Sequence, residues 1–359
     1  MEFLMEYGLF LAKAVTFVVV VAIIVGIVSN LGQRQRKGDK GHIEVLPLNE
    51  FSEQMHEAVK EAVLDEHQQK AERKKQKQEE KEKQKQQKKA AASKKDSDTD
   101  SEDKEEQRKR VFVLNFDGDI QASAVSQLRQ CITAVLAEAS DKDEVVVKLQ
   151  SPGGAVHSYG LAASQLDRIR KKSIPLTICV DQVAASGGYM MACVGDRILS
   201  APFAMIGSIG VIGQLPNFNK LLKKHDVEFE QHTAGDFKRT LTMLGENTDE
   251  DRQKFRQDLE EIHQQFKAYV AERRPSLDIE QVATGEVWLG SRAQELGLVD
   301  DVLTSDEYLT GQMTDADLFE VSFVQKKNIQ EKLGLAAEQG VERGLLRWWQ
   351  KLSGNRFYS

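Results

Sequence analysis

Residues 110–303 predict an α/β fold with a mostly parallel sheet, and three observations support this prediction. Apolar segments of strand length alternate along the chain with segments of helical periodicity. The segments EVVVKLQ and PLTICV are apolar at most positions, which is typical of strands covered by helices on both faces. The first segment ends in a glycine turn, SPGG. These features are typical of helices packed around a parallel sheet.

The predicted elements follow one another in a regular order. RVFVLNFDGDI is a strand, ASAVSQLRQCITAVLAEAS an amphipathic helix, EVVVKLQ a strand and VHSYGLAASQLDRIRKK a helix. PLTICVD is a strand, SGGYMMACVG a helix and VEFEQHTAG a further strand. The charged segment DEDRQKFRQDLEEIHQQFKAYVAERR predicts a long helix that ends before Pro275, because proline cannot continue it. TGEVWLGSRAQELGLVDDV predicts a turn, a short helix and a strand.

Residues 183–212 are hydrophobic enough to suggest a membrane span. Asp196 and Arg197 lie in the middle of this stretch, and glycines interrupt it. Charged residues at that position are costly in a bilayer. We therefore expect a buried core segment.

The N-terminal residues 1–32 predict a transmembrane anchor. Residues 7–28 carry one charge, Lys13, and as a helix they would extend about 33 Å, enough to cross a bilayer. A cleaved signal peptide is the alternative. The apolar run is longer than is usual for a signal peptide, and Glu2 and Glu6 stand where a positive region is expected. The sequence favours a retained, single-pass anchor in the lipid bilayer.

The orientation of this anchor stays open. Arg34, Arg36, Lys37 and Lys40 follow the span, and the positive-inside rule places that side in the cytoplasm.

Two further regions flank the predicted α/β domain. Residues 33–109 are rich in Lys, Glu and Gln and predict a charged, partly disordered tether. Residues 304–359 form a C-terminal extension with an amphipathic segment that carries Trp348 and Trp349. This segment predicts a helix that packs on protein or lies on a membrane surface.

The composition excludes several classes of function. A net charge of −7 gives no basic bias, so nucleic acid is not an expected partner. Cys131, Cys179 and Cys193 form no motif and are expected to be buried as small apolar residues. The sequence contains neither CxxC nor HExxH, and we expect no metal and no other cofactor.

Ser186, in the stretch DQVAASGGYMMAC, is a candidate nucleophile. A strand leads into it, a helix begins just after it, and its neighbours on both sides are alanines and glycines. A helix N-terminus directs backbone N–H groups at developing negative charge, and small neighbours let a substrate backbone approach. A tight turn that needs small residues is the alternative. The SPGG turn of residues 151–154 follows another buried strand and could supply a second N–H donor, because both turns lie at the carboxyl ends of strands.

A serine nucleophile also needs a base. The histidine candidates are His157, His225, His232 and His263, and none lies in a setting that demands this role. Lys238 is a further candidate, since a lysine acts as a base when burial lowers its pKa, and apolar residues surround this one in the sequence. The residues alone leave the choice open.

Four segments in order make a specific resemblance: LQSPGGAVHSYGLAASQL, DQVAASGGYMMACVGDRILSAPFAMIGSIGV, AGDFKRTL and EVWLGSRAQELGLVDDV. Together they resemble the signal peptide peptidase A family of bacterial serine peptidases, over residues 110–302. The resemblance implies a fold like that of ClpP and crotonase, a spiral of ββα units that commonly forms rings. It also implies residence in the bacterial inner membrane, with relatives that work on the periplasmic side.

The resemblance assigns roles to named residues. It implies a Ser–Lys dyad with Ser186 as nucleophile and Lys238 as general base. Ser208 matches the position that orients the lysine, and Gly153 and Gly187 match the oxyanion hole. It implies hydrophobic peptide substrates, such as residual signal peptides or membrane-protein fragments. A homo-oligomer is expected, since in some relatives neighbouring subunits complete the dyad. An inactive ring-forming membrane scaffold is the main alternative function, and a crotonase-type enzyme of acyl-CoA substrates is another.

Overall fold

The computed structural model describes residues 41–64, 108–235 and 237–325. One compact unit covers residues 43–323. The predicted membrane anchor, most of the charged segment that follows it, and the C-terminal segment with Trp348 and Trp349 lie outside the described residues. Within the ranges described, no helix has both the length and the hydrophobicity that a membrane crossing requires.

The strands and helices follow in this order: β1 (Gly41–Pro47), α1 (Leu48–Val63), β2 (Lys109–Asp117), α2 (Val125–Glu138), β3 (Glu144–Gln150), α3 (Val156–Arg170), β4 (Leu176–Val180), β5 (Val183–Ala185), α4 (Gly187–Ala192), β6 (Arg197–Ser200), β7 (Met205–Gly207), α5 (Asn219–Lys224), α6 (Asp249–Arg273), α7 (Ile279–Val282), β8 (Val287–Leu289), α8 (Gly290–Glu295), β9 (Asp301–Val302), α9 (Ser305–Gln312) and β10 (Ala316–Gln325).

The main sheet confirms the predicted α/β class. Its seven strands lie in the order β1-β10-β2-β3-β4-β6-β9. The pairs from β10 to β9 are all parallel, with Val113 opposite Val146 and Ile178 opposite Ile198. A second sheet, β5-β7-β8, pairs β5 with β7 in parallel and β7 with β8 antiparallel.

Helices bury the main sheet on both faces. The larger apolar cluster joins one face to α2, α3 and α4 and includes Phe116, Tyr159 and Tyr189. The smaller cluster joins the other face to α9 and includes Val113, Val146 and Leu309. Residues 183–212 supply much of the larger cluster, as predicted. All three cysteines are buried, also as predicted.

Two ion pairs, Arg110 with Asp143 and Lys109 with Glu144, stabilise the sheet where β2 and β3 begin. The Arg110 guanidinium lies 2.7 Å from a carboxylate oxygen of Asp143. Burial alone would raise the pKa of Asp143, but the guanidinium and the hydrogen bonds from Ser140 outweigh burial and lower this pKa to about 2. Glu144 is buried and accepts hydrogen bonds from Thr177 at 2.7 Å and Tyr308 at 2.6 Å. The second bond fixes α9 against the sheet.

Helix α6 has a capping box at its start. The Thr248 hydroxyl accepts from the Asp251 N–H at 3.2 Å, and the Thr248 N–H donates to the Asp251 carboxylate at 2.8 Å. The helix ends at Arg273, as the proline at position 275 predicts.

The structure differs from the sequence prediction in several places, since the short strands β5, β6, β7 and β8 and the helix α5 were not predicted, and three longer segments also differ. Residues 41–63, predicted as part of the tether, form the strand β1 of the main sheet and the helix α1. Residues 305–325, predicted as part of the C-terminal extension, form α9 and the strand β10, which pairs with β2. The segment VEFEQHTAG is not a strand, and its described residues are exposed, because no neighbouring strand pairs with it.

Candidate active site

Ser186 lies at the junction between β5 and α4, where the sequence predicts it. Its backbone has φ +52° and ψ −118°, a conformation that costs a residue with a side chain about 1–3 kcal/mol. Its N–H donates to the carbonyl of Gly207 at 2.8 Å, and its carbonyl accepts from the Met190 N–H at 3.0 Å. These bonds fix the strained backbone, so the hydroxyl stands at the first turn of a helix. Such strain concentrates at functional sites.

The SPGG turn reaches the same point, as predicted. Gly153 has φ +87°, and a Cβ placed there would lie 2.8 Å from both the Cβ of Ser186 and the N of Gly187. Only glycine permits this approach. The Gly153 N–H donates to the Ser151 hydroxyl at 3.1 Å. The amide of the next residue, Gly154, has no acceptor among the described residues.

Ser208 lies next to this junction, since the carbonyl of the preceding Gly207 accepts the Ser186 N–H. Ser208 also has a positive φ, of +51°, and its N–H donates to the carbonyl of Glu286 at 2.6 Å. Its side chain is half-buried. The fold therefore brings four of the five predicted site residues together: Gly153, Ser186, Gly187 and Ser208.

Lys238 is not part of this arrangement in the single chain. It is exposed, it does not line the cavity beside Ser186, and its ammonium has no ion-pair or hydrogen-bond partner within the described residues. The neighbouring Phe237, Met243 and Leu244 are also exposed. The apolar surroundings that the sequence predicts for Lys238 are therefore not formed within one copy.

The histidines do not supply a base either. His157, His225 and His232 are exposed, and no hydrogen bond joins a described histidine to Ser186. The Nε2 atom of His263 is buried without a hydrogen-bond partner among the described residues.

A cavity of about 390 Å³ opens beside Ser186. Its wall is mainly apolar and comes from the SPGG turn, α3, α4, the segment after β7 and α6, with the lining residues Gly154, Val156, Gly160, Ser164, Ser186, Gly187, Met190, Gly210, Val211, Ile262, Gln265, Phe266 and Tyr269. A cavity of this size and polarity accommodates an apolar side chain of an extended peptide.

Comparison with known proteins decides the family. The N-terminal model of peptidase family S49 matches residues 2–166, and the model of peptidase family S49 matches residues 168–318. The chain is 45% identical over 358 residues to a Haemophilus influenzae protein named "Probable protease SohB", covering 99% of both chains. The chain belongs to peptidase family S49. A Buchnera aphidicola protein with the same name is 52% identical over 238 residues, 66% of this chain and 71% of that one.

Membership in family S49 makes the chain a peptidase, and the parallel-rich α/β fold fits the family. A more distant relative from Enterococcus faecium is named, provisionally, signal peptide peptidase SppA. It is 27% identical over 187 residues, 51% of this chain and 54% of that protein. The resemblance drawn from the four sequence segments is thus confirmed.

Sequence reasoning missed two parts of the site. It read α6 as a charged helix, although Ile262, Phe266 and Tyr269 recur at helical spacing and predict one apolar face. It also gave no role to the side chains of Ser151, the first residue of the SPGG turn, and Tyr159, which are both fully buried. No short-range pattern links these two side chains.

Proposed function

We propose that this chain is a serine endopeptidase in which Ser186 is the nucleophile and Lys238 the general base. The observation that carries the proposal is the strained backbone of Ser186 at a helix start, beside a mainly apolar cavity and within van der Waals reach of the SPGG turn. The ψ angle of Ser186, −118°, also lies outside the left-handed helical region in which turn residues with positive φ ordinarily lie.

The reaction proceeds through an acyl-enzyme. Neutral Lys238 takes the proton from Ser186 Oγ as that oxygen bonds to the peptide carbonyl carbon, and the carbonyl oxygen becomes negatively charged. When the tetrahedral intermediate collapses, the C–N bond breaks and Lys238 gives its proton to the leaving amine. Water then attacks the ester, Lys238 accepts a proton from it, and the proton returns to Ser186 as the ester bond breaks.

Backbone N–H groups stabilise the oxyanion. Gly187 is the first residue of α4, so its N–H has no acceptor inside the helix. The SPGG turn supplies the second donor, the Gly154 N–H in place of the expected Gly153 N–H, because the Gly153 N–H donates to the Ser151 hydroxyl. In enzymes of this type one such donor contributes about 2.7–4 kcal/mol. No metal or other cofactor takes part in the proposed reaction.

A second copy of the chain brings the base to the site. The segment around Lys238 is rich in exposed apolar side chains, which a monomer seldom presents over such a length. They are Ile212, Leu215, Phe218, Leu221, Phe229, Phe237 and Met243. Burial against another copy removes water from the Lys238 ammonium and so favours the neutral amine that a base requires. Ser208 then orients that amine by hydrogen bonding.

The substrates are extended, hydrophobic peptide segments, including residual signal peptides and membrane-protein fragments. The mainly apolar cavity and the flanking glycines support this substrate class. Residues 1–32 anchor the enzyme in the inner membrane, close to such substrates. Proteolysis of spheroplasts from outside tests which side the peptidase domain faces.

Hydrolysis of hydrophobic fluorogenic peptides by the detergent-purified full chain tests the proposal. Wild type, Ser186→Ala and Lys238→Ala are compared from pH 6 to pH 10. We expect activity in the wild type alone, rising with pH as one group deprotonates. Activity that survives Lys238→Ala would return the histidines to consideration, and activity that survives Ser186→Ala would refute the nucleophile. An inactive wild type with intact assembly would favour a membrane scaffold.

A mixing experiment tests the origin of the base. Ser186→Ala chains and Lys238→Ala chains are mixed, dissociated and reassembled. If Lys238 acts on a neighbouring copy, random assembly restores about one quarter of the wild-type activity, because one site in four combines both intact residues in a ring. If the dyad forms within one chain, no activity returns.

A further inference from the structure

Ser151 and Tyr159 form a buried hydroxyl pair beside the β5–α4 junction that carries Ser186. Both side chains are fully buried, and their oxygen atoms lie 2.5 Å apart. The Tyr159 hydroxyl also lies 2.8 Å from the backbone carbonyl of Asp119, to which it donates. A tyrosine has one hydroxyl proton, so the Ser151 hydroxyl must donate to Tyr159. The Ser151 oxygen in turn accepts the N–H of Gly153 at 3.1 Å.

These bonds form one directed chain, from the amide of Gly153 through Ser151 and Tyr159 to the carbonyl of Asp119. Each hydroxyl in it donates once and accepts once. Hydrogen bonds in such a chain polarise one another in a buried setting. Burial also raises the pKa of Tyr159, which keeps its hydroxyl protonated and able to donate.

Ser151 and Tyr159 also contact the β5–α4 junction that carries Ser186. The backbone of Ser151 exchanges hydrogen bonds with β5, since its N–H donates to Val183 at 2.8 Å and its carbonyl accepts from Ala185 at 3.0 Å. The ring of Tyr159 packs on Gly187, where an added Cβ would lie 2.4 Å from the ring. The pair thus contacts both the SPGG turn and the β5–α4 junction that carries Ser186.

We propose that the side chains of Ser151 and Tyr159 are positioning groups that hold Gly153 and Gly154 of the SPGG turn at a fixed distance from Ser186 and Gly187, so that the oxyanion site is formed before substrate arrives. This inference rests on the proposed serine peptidase mechanism. Neither residue touches the substrate. Both act through the backbone of the turn and of the helix start.

Tyr159→Phe and Ser151→Ala in the full chain test this role. Tyr159→Phe keeps the ring that packs on Gly187 and removes the hydroxyl alone. We expect kcat to fall about 10-fold or more in each variant, while KM changes less than about twofold. This loss of kcat is smaller than the loss of about 100-fold or more that follows removal of an oxyanion donor. Tyr308→Phe is the matched control, because its buried hydroxyl bonds Glu144 on the other face of the sheet. This control should lose stability and keep kcat.

Inhibitor binding separates positioning from general destabilisation. A peptide boronate forms a tetrahedral adduct with a serine and uses the oxyanion site, whereas the corresponding product peptide does not need that geometry. Tyr159→Phe should lower the affinity for the boronate about 10-fold and leave the affinity for the product peptide unchanged. If kcat and boronate affinity in both variants equal those of Tyr308→Phe, the inference is overturned. A wild type that neither cleaves peptides nor binds the boronate would instead overturn the proposed function.

Discussion

We expect the residue at position 160 to limit the size of the substrate side chain that the cavity accepts. It lies in the interior of α3 and lines the cavity beside Ser186, and a Cβ built on it meets no atom within 4 Å. A leucine at this position therefore projects into open space without displacing the backbone. The substitution Gly160→Leu shortens the cavity while Ser186 and the SPGG turn stay in place.

The magnitude follows from the burial that the substrate loses. Burying a leucine or phenylalanine side chain contributes about 1.5–3 kcal/mol. If the leucine introduced by Gly160→Leu excludes such a side chain from the cavity of about 390 Å³, kcat/KM for that substrate falls about 10- to 150-fold. For substrates with alanine at the same position, which bury little surface there, kcat/KM should change about twofold or less.

A helical glycine also costs roughly 0.5–1 kcal/mol relative to alanine, so Gly160→Ala should raise the free energy of unfolding by that amount.

A peptide library varied on both sides of the scissile bond measures this change. Gly311→Leu is the matched control, since Gly311 is also a helical glycine with no atom within 4 Å of its built Cβ, and it does not line the cavity. An unchanged preference for large side chains in Gly160→Leu would refute the assignment of the cavity. An equal change in both variants would do the same.

Three other substitutions have defined outcomes. Gly153→Ala should abolish most activity in the peptide assay, because the added Cβ would push the SPGG turn away from the nucleophile. Gly285→Ala is the control: it introduces similar backbone strain, about 1–2 kcal/mol, but its added Cβ meets no other atom, so this variant should stay active. Asp143→Asn should lower the free energy of unfolding by about 2 kcal/mol at pH 7. Burial raises the pKa of Asp143, but its guanidinium partner and the other hydrogen bonds outweigh burial and lower this pKa from 3.8 to about 2. The difference in free energy of unfolding between the variant and the wild type, measured by urea denaturation, should disappear as the pH falls from 4 to 2. Over that range the Asp143 carboxylate becomes protonated and its stabilising contribution is lost. Ile212→Glu should reduce the assembly size measured by light scattering, while Val59→Glu should not.

Local sequence predicted the centre of the fold and of the site well. The apolar strands β2, β3 and β4 and the helices after β2 and β3 have strong periodicity, and burial on both faces leaves little choice of structure. The junction at Ser186 was predictable because a strand, a small-residue turn and a helix follow one another directly. The approach of the SPGG turn depends on a parallel bridge between Ser151 and β5 of the second sheet, which the sequence did not predict.

The parts that local sequence could not predict depend on contacts between distant residues. β1 adjoins a charged region and is mostly exposed, and it forms a strand because β10 lies beside it. VEFEQHTAG alternates like a strand but has no partner, since strand propensity reflects packing more than the backbone. Lys238 is the clearest case. Its surroundings within one copy do not bury it, so neither its sequence neighbours nor the fold of a single chain defines its environment.

Covalent labelling of the assembled full chain by a peptidyl phosphonate tests the central claim most directly. A phosphonate bonds to an activated serine oxygen, and mass spectrometry of the digested protein locates the modified residue. We predict one label for each chain, on Ser186, with labelling slowed at least about 100-fold in Lys238→Ala because the base that activates the hydroxyl is lost. Labelling at another serine, or peptide hydrolysis that continues with Ser186 unmodified, would contradict the assignment of Ser186 as the nucleophile.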